Sequence, residues 1–180
     1  DNYVHLALGI YNPVGNYSAS EHNLGPRILS ESTENDVFGL ARDIERCPDP
    51  HHLPGLIYGH SLNHLKISIG SEMAMMLKPN YYWVGNVRTI WSYLLQKHHE
   101  NDQRANQELR MYYDGDRESE MDYDIWRHIY LDLENPLRQL GCVASQVAQI
   151  DSDYLRFLWA DAVASFLYDR FADRRPPICV

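Results

Sequence analysis

The sequence predicts a mainly α-helical protein: a single-domain bundle or array of about six helices, with one short strand at the N-terminus. Apolar residues recur at helical spacing from residue 33 onward, and 180 residues with 44% hydrophobic content suit one core. Proline and asparagine separate the periodic segments, as at Asn135-Pro136. The predicted organisation is one domain over residues 1–180, with a strand and loop arm (1–32), a helical core (33–172) and an extended tail (173–180).

The N-terminal stretch has the alternation of a strand. In residues 3–10, Val4, Leu6, Leu8 and Ile10 recur with a period of two. A lone strand needs a partner, which would be residues 178–180 of the tail or a second chain. The loop that follows contains the sequon Asn16-Tyr17-Ser18, which would matter only in a secreted protein.

A helix over residues 60–78 is predicted to form the centre of the fold. One face carries Leu62, Leu65, Ile69, Met73 and Met76, and the opposite face is also half apolar. A helix with two apolar faces packs between neighbours. His60 and His64 share the second face one turn apart, whereas Glu72 is roughly 12 Å along the axis from His64 and cannot join them.

Five further helices complete the predicted core. The first begins at Thr33, an N-cap candidate with Asp36 three residues later, and Pro48 ends it. The last is the most apolar, with a polar stripe that includes Asp161. The predicted spans are 33–46, 87–112, 120–134, 136–149 and 152–172.

The composition limits which classes of function the sequence supports. A net charge of −9 argues against broad binding to nucleic acids or to anionic membranes, because proteins that bind these surfaces are usually basic. No run of 18 apolar residues is present, so no membrane span is expected. The three cysteines lie far apart without a C-x-x-C motif, which favours free thiols and a cytoplasmic location. The chain begins at Asp1 without methionine, which is also compatible with a removed leader.

Histidines concentrate before and at the start of the central helix. Neutral imidazoles bind divalent transition metals, so a metal cofactor is one interpretation. The candidate ligands are His60, His64, His51, His52 and Asp161. The sequence contains no H-E-x-x-H motif and no pair of E-x-x-H segments. The alternative is that these histidines are structural, hydrogen-bonded at helix faces or exposed.

Two further groups are candidate binding residues. Tyr81, Tyr82 and Trp83 form an aromatic cluster that could line a ligand pocket or a protein interface, although such clusters more often pack a helix corner. Asp114 and Asp116 form a D-x-D pair within an acidic stretch. That stretch lacks the glycine and glutamate of an EF-hand loop. It therefore predicts a solvated acidic loop, or a site for a divalent ion or a basic partner. If a β-sheet positioned it, the D-x-D pair could also hold a metal-nucleotide.

Two functions from different classes follow. The first is a non-enzymatic helical module for protein–protein interaction or regulation, which associates with a protein partner or with itself as a homodimer. The alternative is a metal-dependent hydrolase or oxidoreductase centred on His60 and His64. The sequence does not decide whether the chain is an enzyme.

Overall fold

The computed structural model describes residues 2–10, 15–113, 123–149 and 155–175, and these residues are mainly helical. The predicted all-α class is confirmed. The chain divides into two compact units, residues 1–86 and residues 87–180. The prediction of a single domain is not tested by this division and stays a prediction.

The described residues form eleven α-helices, more than the six predicted. None of these helices is long and apolar enough to cross a lipid bilayer. The first unit contains α1 (Asn2–Ala7), α2 (Tyr17–Glu21), α3 (Leu24–Glu31), α4 (Glu34–Arg46), a 3-10 turn (Pro50–His52), α5 (Leu53–Gly59) and α6 (Ile67–Leu77). The second contains α7 (Val87–Lys97), α8 (Asp102–Arg110), α9 (Tyr123–Asp132), α10 (Glu134–Ala148) and α11 (Arg156–Arg170).

The predicted N-terminal strand is wrong, because these residues form α1. Val4, Ala7 and Leu8 are fully buried, whereas Leu6 is 38% exposed. Burial at positions separated by three and four residues is the helical period. The alternation of apolar residues was therefore coincidental, because only Val4 and Leu8 of the apparent strand face are buried.

Helix α4 begins where the sequence predicts. The Thr33 hydroxyl accepts the backbone N–H of Asp36 at 3.2 Å, and the Asp36 carboxylate accepts the backbone N–H of Thr33 at 2.8 Å. This reciprocal capping box satisfies two N–H groups at the start of the helix. The predicted inward face is also confirmed, since Val37, Leu40, Ala41 and Ile44 are buried.

Helix α6 lies at the centre of the first unit but is shorter than predicted. It begins at Ile67 and not at His60, because Ser61 (φ 53°) and His64 (φ 63°) adopt the left-handed conformation. That conformation cannot continue a right-handed helix. Along its length, α6 packs against α1, α2, α4 and α5.

A buried carboxylate on α6 holds the start of α2. Glu72 is only 5% exposed and accepts the backbone N–H of Tyr17 at 2.6 Å. It also accepts the Ser18 hydroxyl at 2.5 Å and the side-chain amide of Asn86 at 2.7 Å. The amide of Asn16, itself 1% exposed, donates to the backbone oxygen of Ile69 at 2.9 Å. The sequon asparagine is therefore a structural residue in the folded chain.

In the second unit the predicted helix over residues 87–112 is interrupted. It divides into α7 and α8, because His99 (φ 52°) and Glu100 (φ 64°) form a left-handed turn. The predicted helix over residues 136–149 corresponds closely to α10. Helix α11 packs against both α10 and α7. Its contact side is buried and consists of Phe157, Ala160, Ala164 and Tyr168.

We expect Glu72→Leu to lower the free energy of unfolding by about 3 kcal/mol, because it leaves several buried donors without an acceptor. Glu45→Leu makes the same chemical change at an exposed position of α4 and serves as the control. Urea denaturation followed by circular dichroism measures both. Equal stability of the two variants would contradict the structural role of Glu72.

We expect Gly141→Ala to destabilise the protein by about 2 kcal/mol, because of overpacking between α10 and α11. A Cβ atom at Gly141 would lie 1.9 Å from the backbone oxygen of Arg156, so one helix must shift. Gly55 of α5 has open space at the same position and provides the control. Gly55→Ala should be neutral or slightly stabilising in the same denaturation experiment.

Candidate functional site

The two histidines expected on one helix face lie outside α6. His60 follows the end of α5, and its Nε2 is 2.9 Å from Oδ2 of Asp43. The Nε2 of His64 is 3.3 Å from Oε1 of Glu31. The expectation that they form a helical i,i+4 pair is therefore wrong, since both precede the first turn of α6.

His51 and His52 lie in the 3-10 turn and both face the carboxylate of Asp49. The Nδ1 of His51 is 2.7 Å from Oδ1 of Asp49, and the Nε2 of His52 is 4.0 Å from Oδ2. Hydrogen bonds from the backbone N–H and the ring of His51 hold the pKa of the Asp49 carboxyl below its usual value. Each of the four predicted histidine ligands in this unit thus has a carboxylate neighbour.

Asp161, the fifth predicted ligand, is half-buried on α11 in the second unit. Over residues 2–10, 15–113, 123–149 and 155–175, no group of three His, Cys, Asp or Glu side chains is placed to hold a metal ion. The metal site, and the metal-dependent enzyme that it would support, stay predictions.

The predicted aromatic cluster packs within the first unit. Tyr82 and Trp83 are fully buried, and the Tyr82 hydroxyl donates to the backbone oxygen of Ile44 at 2.7 Å. The half-buried Tyr81 donates to the backbone oxygen of Pro48 at 2.5 Å. These contacts favour a packing role, and a binding role for the cluster stays a prediction.

The other predicted binding residues, Asp114 and Asp116, lie outside the residues that the structure describes. Their proposed role in holding a metal-nucleotide required a neighbouring β-sheet. The described part of the chain contains helices and turns without a strand.

The second unit exposes an apolar face that the sequence analysis did not single out. Leu158, Ala162 and Phe166 lie four residues apart on α11, and we call them the α11 apolar face. Leu158 is 43% exposed and Phe166 is 61% exposed. Spacing by four places all three side chains in one stripe of the helix. The sequence signal for this face was present, because α11 is apolar on more than one side.

A charged cluster joins α7 to α8 in the same unit. Oε1 of Glu108 is 2.6 Å from Lys97 Nζ and also accepts the Tyr112 hydroxyl, and Oε2 is 2.6 Å from His98 Nε2. Burial alone would raise the pKa of Glu108. The hydrogen bonds from Lys97, Tyr112 and His98 outweigh that effect and lower it to about 2. Sequence reasoning missed this cluster, because its members are separated by a turn whose geometry has no local motif.

The depressed pKa of Glu108 predicts a pH-dependent contribution to stability. This contribution is fully present above the ordinary glutamate pKa of 4.5 and is lost as the pH falls toward about 2. By linkage it amounts to at most about 3 kcal/mol, and solvent screening reduces it. The difference in unfolding free energy between the native chain and Glu108→Gln should therefore shrink between pH 5 and pH 2.

Urea denaturation at a series of pH values measures this difference. Glu45→Gln, at an exposed position, provides the control for general charge effects at low pH. A difference between the native chain and Glu108→Gln that stayed constant down to pH 2 would show that the cluster does not depress the pKa of Glu108.

Comparison with known proteins assigns no family or function to the chain. No protein-family model matches the chain, and neither curated proteins nor solved structures give a significant match. Function therefore rests on the chemistry of the described residues.

Proposed function

We propose that this chain is a helical protein-interaction module that associates with a second copy of itself through the α11 apolar face. The observation that carries the proposal is the exposure of Leu158 and Phe166 on a helix whose opposite side is already buried. Aromatic and aliphatic side chains exposed in one stripe are a common feature of protein interfaces.

The arrangement of the face favours a second copy over an unrelated partner. Ala162 lies at the centre, with Leu158 four residues before it and Phe166 four residues after it. If two copies of α11 pair antiparallel about a two-fold axis at Ala162, Leu158 of each copy meets Phe166 of the other. Such a contact is self-complementary, as an isologous interface requires. The small alanine at the crossing point allows the two helix backbones to approach closely.

The energetics favour a reversible dimer. Covering the exposed parts of two leucines and two phenylalanines gives about 4 kcal/mol, because full burial of each side chain is worth about 1.5–3 kcal/mol. Association itself costs several kcal/mol in lost translational and rotational freedom. The half-buried Leu155 and Trp159 lie beside the same stripe and would add apolar area. We therefore expect association that depends strongly on concentration.

Sedimentation or light scattering over a range of concentrations tests the proposal. We expect the native chain to pass from monomer to dimer, and Phe166→Glu to remain monomeric because the dimer would bury two carboxylates. Phe38→Glu is the matched control, since Phe38 is an exposed aromatic residue (49%) on α4 of the first unit. A native chain that remained monomeric at millimolar concentration would overturn the proposal, as would equal effects of the two variants.

Crosslinking at the proposed axis is a second readout. With the native cysteines replaced by serine, Ala162→Cys places two thiols on the two-fold axis, where they are close enough to form a disulfide. Mild oxidation should then give a covalent dimer. Gln139→Cys, at an exposed position of α10, should give much less. More covalent dimer from Gln139→Cys than from Ala162→Cys would place the interface on another surface.

A further inference from the structure

The second unit contains a cleft that the proposed dimer does not use. It has a volume of about 610 Å³ and lies among α7, α10, α11 and the start of α8. This volume is within the usual range for small-molecule sites. Its walls are mainly apolar and include Leu95, Leu140, Leu167 and Phe171. The α11 apolar face (Leu158, Ala162 and Phe166) is separate from these wall residues, so the cleft is independent of the proposed function.

Part of the rim of the cleft is formed by the left-handed turn between α7 and α8. His99 and Glu100 both line the cleft and both are exposed. The backbone N–H of Glu100 donates to the oxygen of Leu95 at 2.8 Å, and that of His99 donates to the oxygen of Gln96 at 3.1 Å. These hydrogen bonds fix the backbone of the turn, so the positions of the Cβ atoms of His99 and Glu100 at the cleft are defined.

The charges at the rim are not neutralised by the described residues. Glu100 has no ion-pair partner there, and the carboxylate of Asp102 accepts the backbone N–H of Gln103 at 3.0 Å. The guanidinium of Arg174, also at the cleft, lies 5.2 Å from the centre of the Phe171 ring. The rim therefore has two carboxylates against one guanidinium. The net charge of −9 on the whole chain further favours the approach of cations.

We propose that this cleft binds an organic cation, an ammonium or guanidinium group attached to an aliphatic or aromatic body. The cationic group lies at Glu100 and Asp102, where it gains charge-assisted hydrogen bonds. The apolar body lies against the apolar walls, which include Leu140 and Phe171, where it is removed from water. A carboxylate ligand of the same shape would meet the acidic rim and bind more weakly.

Two probes of matched shape and opposite charge test the proposal. Phenethylammonium and phenylacetate are titrated separately into the full-length protein, and amide chemical shifts are followed by NMR at pH 7. We expect phenethylammonium to shift resonances of α7, of the turn after it and of α11, and to bind about tenfold more tightly than phenylacetate. Equal or tighter binding of phenylacetate would overturn the proposal, as would no binding of either probe at 10 mM.

Variants assign the charge recognition to the rim. Glu100→Gln should weaken phenethylammonium binding by about three- to fivefold, which is the usual effect of one exposed ion pair. Glu45→Gln makes the same change at an exposed position of α4 and should leave binding unchanged. Equal weakening by both variants would mean that only net charge matters, and the proposed site would be wrong. If Phe166→Glu abolished dimerisation but still bound phenethylammonium, the cleft would be shown to act independently of the proposed dimer interface.

Discussion

The first unit depends on the burial of one carboxylate. A buried carboxylate is stable only when donors surround it, and the donors for Glu72 come from Tyr17, Ser18 and Asn86. Tyr17 is 55 residues away in sequence, and Asn86 is 14 residues away on the other side. Helix α6 can therefore bury Glu72 only when the segments around Tyr17 and Asn86 have packed against it. Such dependence between distant segments makes the unit fold cooperatively. Helix α2 has only five residues and would not be stable alone, so its hydrogen bonds to Glu72 hold it in place.

Sequence patterns predicted the fold class and those helices whose limits are encoded locally. Helix α4 has its capping box and a following proline, and its predicted start and end agree with the structure. The limits that failed depend on backbone conformations with no local signature. Left-handed residues at His64 and Glu100 interrupt the predicted helices although neither is a glycine, and residue type alone does not indicate this. At the N-terminus, Val4 and Leu8 satisfy a strand period and a helical period equally well, so only tertiary packing decides between them.

The candidate sites were less predictable, because they depend on which residues meet. The histidines were visible in the sequence, but their carboxylate neighbours were not: Asp43 is 17 residues from His60 and Glu31 is 33 residues from His64. For α11 the difficulty was different. A helix that is apolar on several sides does not reveal which side its neighbours cover, and the uncovered side is known only once α7 and α10 are in place.

The turn between α7 and α8 has a consequence for protein engineering. A left-handed conformation costs a residue with a Cβ atom about 1 kcal/mol relative to glycine, and His99 and Glu100 adopt it in succession. A selection for thermal stability would therefore favour glycine at both positions. Those substitutions would also remove the two side chains that the turn holds at the cleft. Stability and the proposed cation recognition therefore make opposite demands on Glu100, and a library selected only for thermal stability would lose this carboxylate from the rim.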